Sequence, residues 1–117
     1  MSVTTQVPHD RLAEYFKAFT KRFLQDGSPE AVDVEVLEPD WGDQLAVQGA
    51  RLIGITYDER SNALEFELNS GDHRVYEPHE VWTIEEPNGF IDAIEVVLPD
   101  GSREIVSVKR VGLRRME

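Results

Sequence analysis

The sequence predicts an α+β fold: an N-terminal helix packed on an antiparallel β-meander sheet, with enough strands to curl into a partial barrel. Three observations carry this reading. Near the start, Leu12, Phe16, Phe19 and Phe23 recur at helical spacing and form one apolar stripe. From Ala31 to Val111 the period drops to two, as in Val32, Val34 and Val36 against Asp33 and Glu35, or Leu64, Phe66 and Leu68 against Glu65 and Glu67. No helix-length segment separates any two of these strands, so parallel crossovers are excluded and sequence neighbours are expected to pair antiparallel.

The helix is expected over residues 8–26, starting at Pro8 or Asp10 and running to Gln25. Asp10 is placed as its N-cap, Glu14 suits the positive end of the helix dipole, and Lys21 and Arg22 suit the negative end. Asp26-Gly27-Ser28-Pro29 stops it, because glycine permits a left-handed cap and proline cannot continue a helix. The Phe-rich stripe is expected to pack on the protein's own sheet.

Strands are expected at 31–38, 45–49, 51–58, 63–69, 73–76, 80–85, 91–98 and 103–111. Asp58-Glu59-Arg60-Ser61-Asn62 reads as a hairpin loop, and Pro99-Asp100-Gly101-Ser102 as a turn in which proline fixes one φ and glycine supplies a positive one. Pro87-Asn88-Gly89 marks a third tight turn of the Asn-Gly kind. Strand 31–38 is expected at a sheet edge, where Asp33 and Glu35 would blunt pairing with a second copy. The expected oligomeric state is a monomer or weak homodimer.

At 117 residues the chain suits one domain, 1–117, with 112–117 as a tail. Hydrophobic residues at 40% and charged ones at 30% exclude a disordered chain, and no apolar run is long enough to span a membrane. Met1 to Pro8 lacks the charged and apolar regions of a secretory signal, which points to the cytoplasm, without cleavage or anchoring. Cysteine is absent, which excludes disulfides, thiolate metal sites and cysteine nucleophiles. Asp and Glu number 23 against 12 Lys and Arg, and the net charge of -11 repels phosphate backbones and anionic membranes. Such a surface suits solubility, or a basic protein partner; mimicry of nucleic acid would require its carboxylates in one continuous stripe.

No catalytic set is assembled. His73, Tyr76, His79 and Glu80 form the densest polar and aromatic group, yet the six-residue spacing of the histidines matches neither helical nor His-x-His metal ligation, and Pro78 bends the path between them. No metal or other cofactor is therefore expected. The paired carboxylates fall at solvent-facing positions, Ser28, Ser61, Ser70 and Ser102 fall in turns without a nucleophile elbow, and the glycines are scattered singly. Trp41, flanked by Asp40 and Asp43, suits a loop anchor for a partner, whereas Trp82, within a strand, is expected in the core. Lys109, Arg110, Arg114 and Arg115 give the acidic chain a basic end. The leading expectation is thus a non-catalytic protein-interaction module, using the sheet face or the Trp41 loop. The alternative is a small-molecule or metal-binding protein, or an enzyme, with a pocket between helix and sheet near His73 and His79.

Several segments taken together resemble a family of small prokaryotic proteins known only as a domain of unknown function. They are Val7-Pro8-His9-Asp10 before the Phe-rich helix, the run Val34 to Gln44 with Pro39-Asp40-Trp41-Gly42-Asp43, Leu52 to Asp58, Pro78-His79-Glu80-Val81-Trp82, and Ala93 to Val97. The resemblance covers most of the chain, with a longer Gln25 to Glu30 connection as a departure. It implies a stand-alone domain and no particular activity, cofactor or catalytic residue.

Overall fold

The structure, a computed structural model, describes residues 2–25, 31–38, 44–69 and 71–111, and the side chains of 2–24, 51–69 and 71–108. The helical stripe packs inward as its spacing predicts: Leu12, Phe16 and Phe19 are buried, and Phe23 packs partly buried beside them. The helical segment has three parts, a 3-10 turn His9–Arg11, the α-helix α1 (Leu12–Phe19) and a π-helical turn Thr20–Gln25. Asp10 does not cap it. Pro8 holds extended backbone, the 3-10 turn begins there, and no side chain bonds the first free N–H groups at either start.

Among the described residues eight strands follow the order β1-β6-β7-β8-β2-β3-β4-β5: β1 (Val3–Val7), β2 (Ala31–Glu38), β3 (Gln44–Asp58), β4 (Ala63–Leu68), β5 (His73–Tyr76), β6 (Glu80–Glu85), β7 (Ile91–Val97) and β8 (Arg103–Val111). Every pairing is antiparallel. The order is two meanders, β2 to β5 and β6 to β8, joined by the non-local β2–β8 pairing, with β1 added beside β6. The expected strands 45–49 and 51–58 are one, and β3 changes partner along its length, pairing with β2 as far as Arg51 and with β4 from Leu52. It thereby carries the chain from the larger sheet into a three-stranded one. The end strands β1 and β5 do not pair, so the barrel stays open.

Two expectations about edges change. β2 is flanked by β3 and β8 and is an interior strand, because its residues pair on both sides. Among the described residues the ends of the strand order are β5 and β1, the latter a segment whose exposed side chains carry no amphipathic period. Of the basic end, Lys109 and Arg110 belong to β8, in register with Asp33 and Val32, while 112–117 lie outside the described residues.

The core forms between the two sheets and under the helix. Val81, Ile91, Ile94, Val96 and Val106 face it from one side, Leu52, Ile55, Leu64, Phe66 and Val75 from the other. A fully buried side chain of this size contributes about 1.5–3 kcal/mol of transfer free energy, so these layers hold the fold without disulfides. Phe90 extends the helical stripe, with its ring 5.7 Å from Phe19 and 5.3 Å from Phe23.

The two turns of the second meander share one construction. Leu98 N–H donates to Ser102 C=O at 2.8 Å and Gly101, at φ 90, donates to Leu98 C=O at 2.9 Å; Glu86, Phe90 and Gly89, at φ 93, repeat the pattern. Asp100 and Asn88 each accept the N–H two residues on. Asn88 keeps a negative φ, so the Asn-Gly pair forms a three-residue loop with glycine in the left-handed region, not the two-residue turn its sequence suggests.

Candidate functional site

The four residues grouped by the sequence go to separate surroundings. His73 reaches from β5 to β8, where its Nε2 and Glu104 Oε1 are 2.8 Å apart, both side chains largely buried, and its ring lies beside Phe66. Tyr76, at the end of the same strand, is 57% exposed and lines a small depression with Arg74 and Glu65. His79 is exposed between β5 and β6, beside Pro78, Glu77 and Asn62. Glu80 accepts a hydrogen bond from Trp82 Nε1 at 2.9 Å. The strand alternation and the bend at Pro78 send neighbouring side chains in different directions, so no common pocket results. Trp41, Asp40 and Asp43 lie outside the described residues. Among the described residues no cluster of three His, Asp or Glu side chains is placed to hold a metal ion.

A pocket between helix and sheet does exist, at a different place. A cleft of about 310 Å³ runs between α1 and the β6–β7 turn, lined by Arg11, Tyr15, Phe19, Arg22, Glu85 and Ile91 among others. Tyr15 donates its hydroxyl proton to Glu85, so the Thr83 hydroxyl, 2.9 Å away, donates to Tyr15. Burial, reinforced by the Glu85 contact, pushes the Tyr15 hydroxyl well above its ordinary range. The phenol therefore stays neutral and acts as a fixed donor, not as a base. At the rim Arg22 stacks over Phe23 at 5.0 Å, and Arg11 meets Glu14 at 3.7 Å.

A second feature is the outer face of the larger sheet. Register places Thr4, Ile84, Ala93 and Ser107 in one row across β1, β6, β7 and β8, and Gln6, Trp82, Glu95 and Ile105 in the next. Their neighbours Val81, Thr83, Ile94, Val96 and Val106 point inward and are buried. Trp82 is consequently half-buried on the outer face instead of in the core. Thr4, Trp82, Ile84, Ala93, Glu95 and Ile105 line a shallow groove of about 160 Å³, and Ile84 is 38% exposed. Glu80 fixes the indole from one side. Glu95 pairs with Arg103 at 3.1 Å in the adjoining rows.

The carboxylate pairs are modestly placed for chemistry. The hydrogen bond between Glu65 and Asp72 raises the Glu65 carboxyl above its usual range, with partial desolvation adding to it, while Arg74, at 3.3 Å, pulls the other way. These groups lie on an open strand face, not in an apolar pocket. The sequence named a sheet face and a pocket between helix and sheet, but missed the residues that form them for one reason. In Glu80-Val81-Trp82-Thr83-Ile84-Glu85 the larger apolar residues occupy the outward positions, and the inward Thr83 is fully buried under Tyr15.

No helix among the described residues is long and apolar enough to cross a membrane. An uncharacterized protein of Aquifex aeolicus (strain VF5) is 32% identical over 107 residues, covering 91% of this chain and 92% of that protein. No solved structure matches the chain. The model of a family of unknown function, DUF5335, matches residues 3–113, a stretch that contains the helix and the eight described strands, and the chain belongs to that family.

Proposed function

We propose that this protein is a non-catalytic interaction module of the cytoplasm, docking a protein partner on the outer face of β1, β6, β7 and β8. One observation supports the reading above others: Trp82, held by Glu80, stands on the solvent side of the sheet in a groove with Ile84, Ala93 and Ile105. The inner face already supplies the core, so the fold has no need of a tryptophan here. Tryptophan offers a large, rigid contact area and is enriched among residues that dominate binding energy. Glu80 and Glu95 beside the groove, with the net charge of -11, favour a partner of opposite charge.

The experiment is site-specific photo-crosslinking in cells, with a benzoylphenylalanine in place of Ile84 and, as control, in place of Ser61 on the β3–β4 hairpin. A discrete protein adduct at position 84, absent at position 61, is the expected result. The same adducts at both positions, or none at position 84, would overturn the reading.

A second reading, a small-molecule binder with its pocket between helix and sheet, is supported by the cleft at Tyr15, whose volume is at the lower end of the range of ligand sites, about 300–1,000 Å³. It predicts a metabolite that raises the melting temperature of the native protein and leaves the Tyr15→Phe variant unchanged.

A further inference from the structure

Among the described residues one side of the β1 backbone has no strand partner, and nothing within its five residues guards that side. The residues are Val3-Thr4-Thr5-Gln6-Val7, uncharged throughout and exposed except for Val7. A bare edge of this kind is a template for another strand, and natural sheets blunt it with charge, proline or shortness. Two other free edges among the described residues are guarded, one in this way and one by the helix. β5 is four residues long, carries Arg74, and runs into Glu77, at φ 54, and then Pro78. The second half of β3 is covered at Ile55 by the Thr20 hydroxyl, which bonds both its N–H and its C=O.

We infer that β1 is a self-association edge, which pairs antiparallel with β1 of a second copy about a twofold axis at Thr5. The residues read almost alike from either end. The symmetric register sets Thr5 opposite the partner's Thr5, Thr4 opposite the partner's Gln6, and Val3 opposite the partner's Val7. All five residues are used, and a closed twofold contact of this kind terminates at two copies.

Three features favour a copy of this chain over another occupant. The strand is self-complementary over its full length, and Pro8 ends the available pairing right after Val7. Charge does not oppose the contact, because the uncharged edge keeps like charges from facing each other in a protein of net charge -11. The register also preserves the faces. Val3, Thr5 and Val7 lie on the side of the buried Thr83 and Val81, whereas Thr4 and Gln6 lie beside Ile84 and Trp82, so inner face joins inner face across the axis. Val3, 60% exposed in the single chain, gains an apolar neighbour. Five paired residues bury less than the roughly 1,000 Å² of a stable interface, so the dimer is weak and concentration-dependent. This inference stands independently of the outer-face reading.

The test is sedimentation equilibrium of the full chain from micromolar to millimolar concentration. The expected result is a reversible monomer–dimer transition, weakened at least tenfold by Thr5→Glu, which sets like charges opposite each other at the axis. Because the chain has no cysteine, Thr5→Cys and Ser102→Cys also accept single spin labels. The label at position 5 should show a short intermolecular distance, and the one at the distant β7–β8 turn a longer one. A monomer mass across the whole range, a dimer indifferent to Thr5→Glu, or equal spin distances at the two sites would overturn the inference.

Discussion

The hydroxyl of Thr20 stands in for a strand partner of Ile55: it accepts the Ile55 N–H at 2.9 Å and donates to the Ile55 C=O at 3.0 Å, both residues being buried. Thr20 occupies the changeover from α1 to the π-helical turn, so the end of the helix doubles as a cover for an exposed length of β3. Thr20→Val keeps the shape and strands two buried backbone groups, which should lower stability by about 2 kcal/mol or more in urea denaturation. Thr20→Ser keeps the hydroxyl and should lose less than about 1 kcal/mol. Equal stability of the threonine and valine proteins would show that the helix cap does not replace strand pairing.

Tyr15 gives the structure a dependence on alkaline pH. Its hydroxyl titrates above the ordinary value of 10.0, first through burial and then through Glu85. A raised value means that folding favours the neutral phenol, so the contribution is complete below pH 10.0 and is lost as the pH rises above it. Tyr15→Phe should cost about 1 kcal/mol at neutral pH, by removing the bonds to Glu85 and Thr83. Denaturation curves collected above pH 10.0 should show the gap between wild type and variant closing. A gap that widens there would contradict the assignment.

His73 and Glu104 tie β5 of the small sheet to β8 of the large one across the core. With both side chains mostly shielded, at 19% and 13% exposure, the contact escapes much of the solvent screening that weakens surface pairs. A double-mutant cycle with His73→Ala and Glu104→Ala should give a coupling energy of about 1 kcal/mol. Strictly additive losses would mean that the two sheets are held by apolar packing alone.

Much of the architecture was legible because local patterns and tertiary demands agree. The stripe Leu12, Phe16 and Phe19 is buried as spaced, β2 spans the expected residues 31–38, and Gly101 takes the positive φ its turn requires. β1 escaped notice because an edge strand with one buried side chain, Val7, shows no period to read. The β2–β8 pairing joins residues such as Val34 and Val108, whose association leaves no mark in either segment. Trp82 was misplaced for a subtler reason. Hydrophobicity orients a strand only when its inner face is the more apolar one, and β6 turns Thr83 inward to meet Tyr15. The candidate site was therefore hidden by the same polar contact that shapes the cleft behind it.

The outer-face reading is tested most directly by capturing partners from a lysate of the source organism on two tagged proteins, wild type and the Trp82→Ala/Ile84→Thr double variant, each first shown to be folded by circular dichroism. The prediction is a stoichiometric partner on the wild type that is lost from the double variant and weakened by salt, as screening requires. A partner held equally by both proteins, or none held by either, would contradict it.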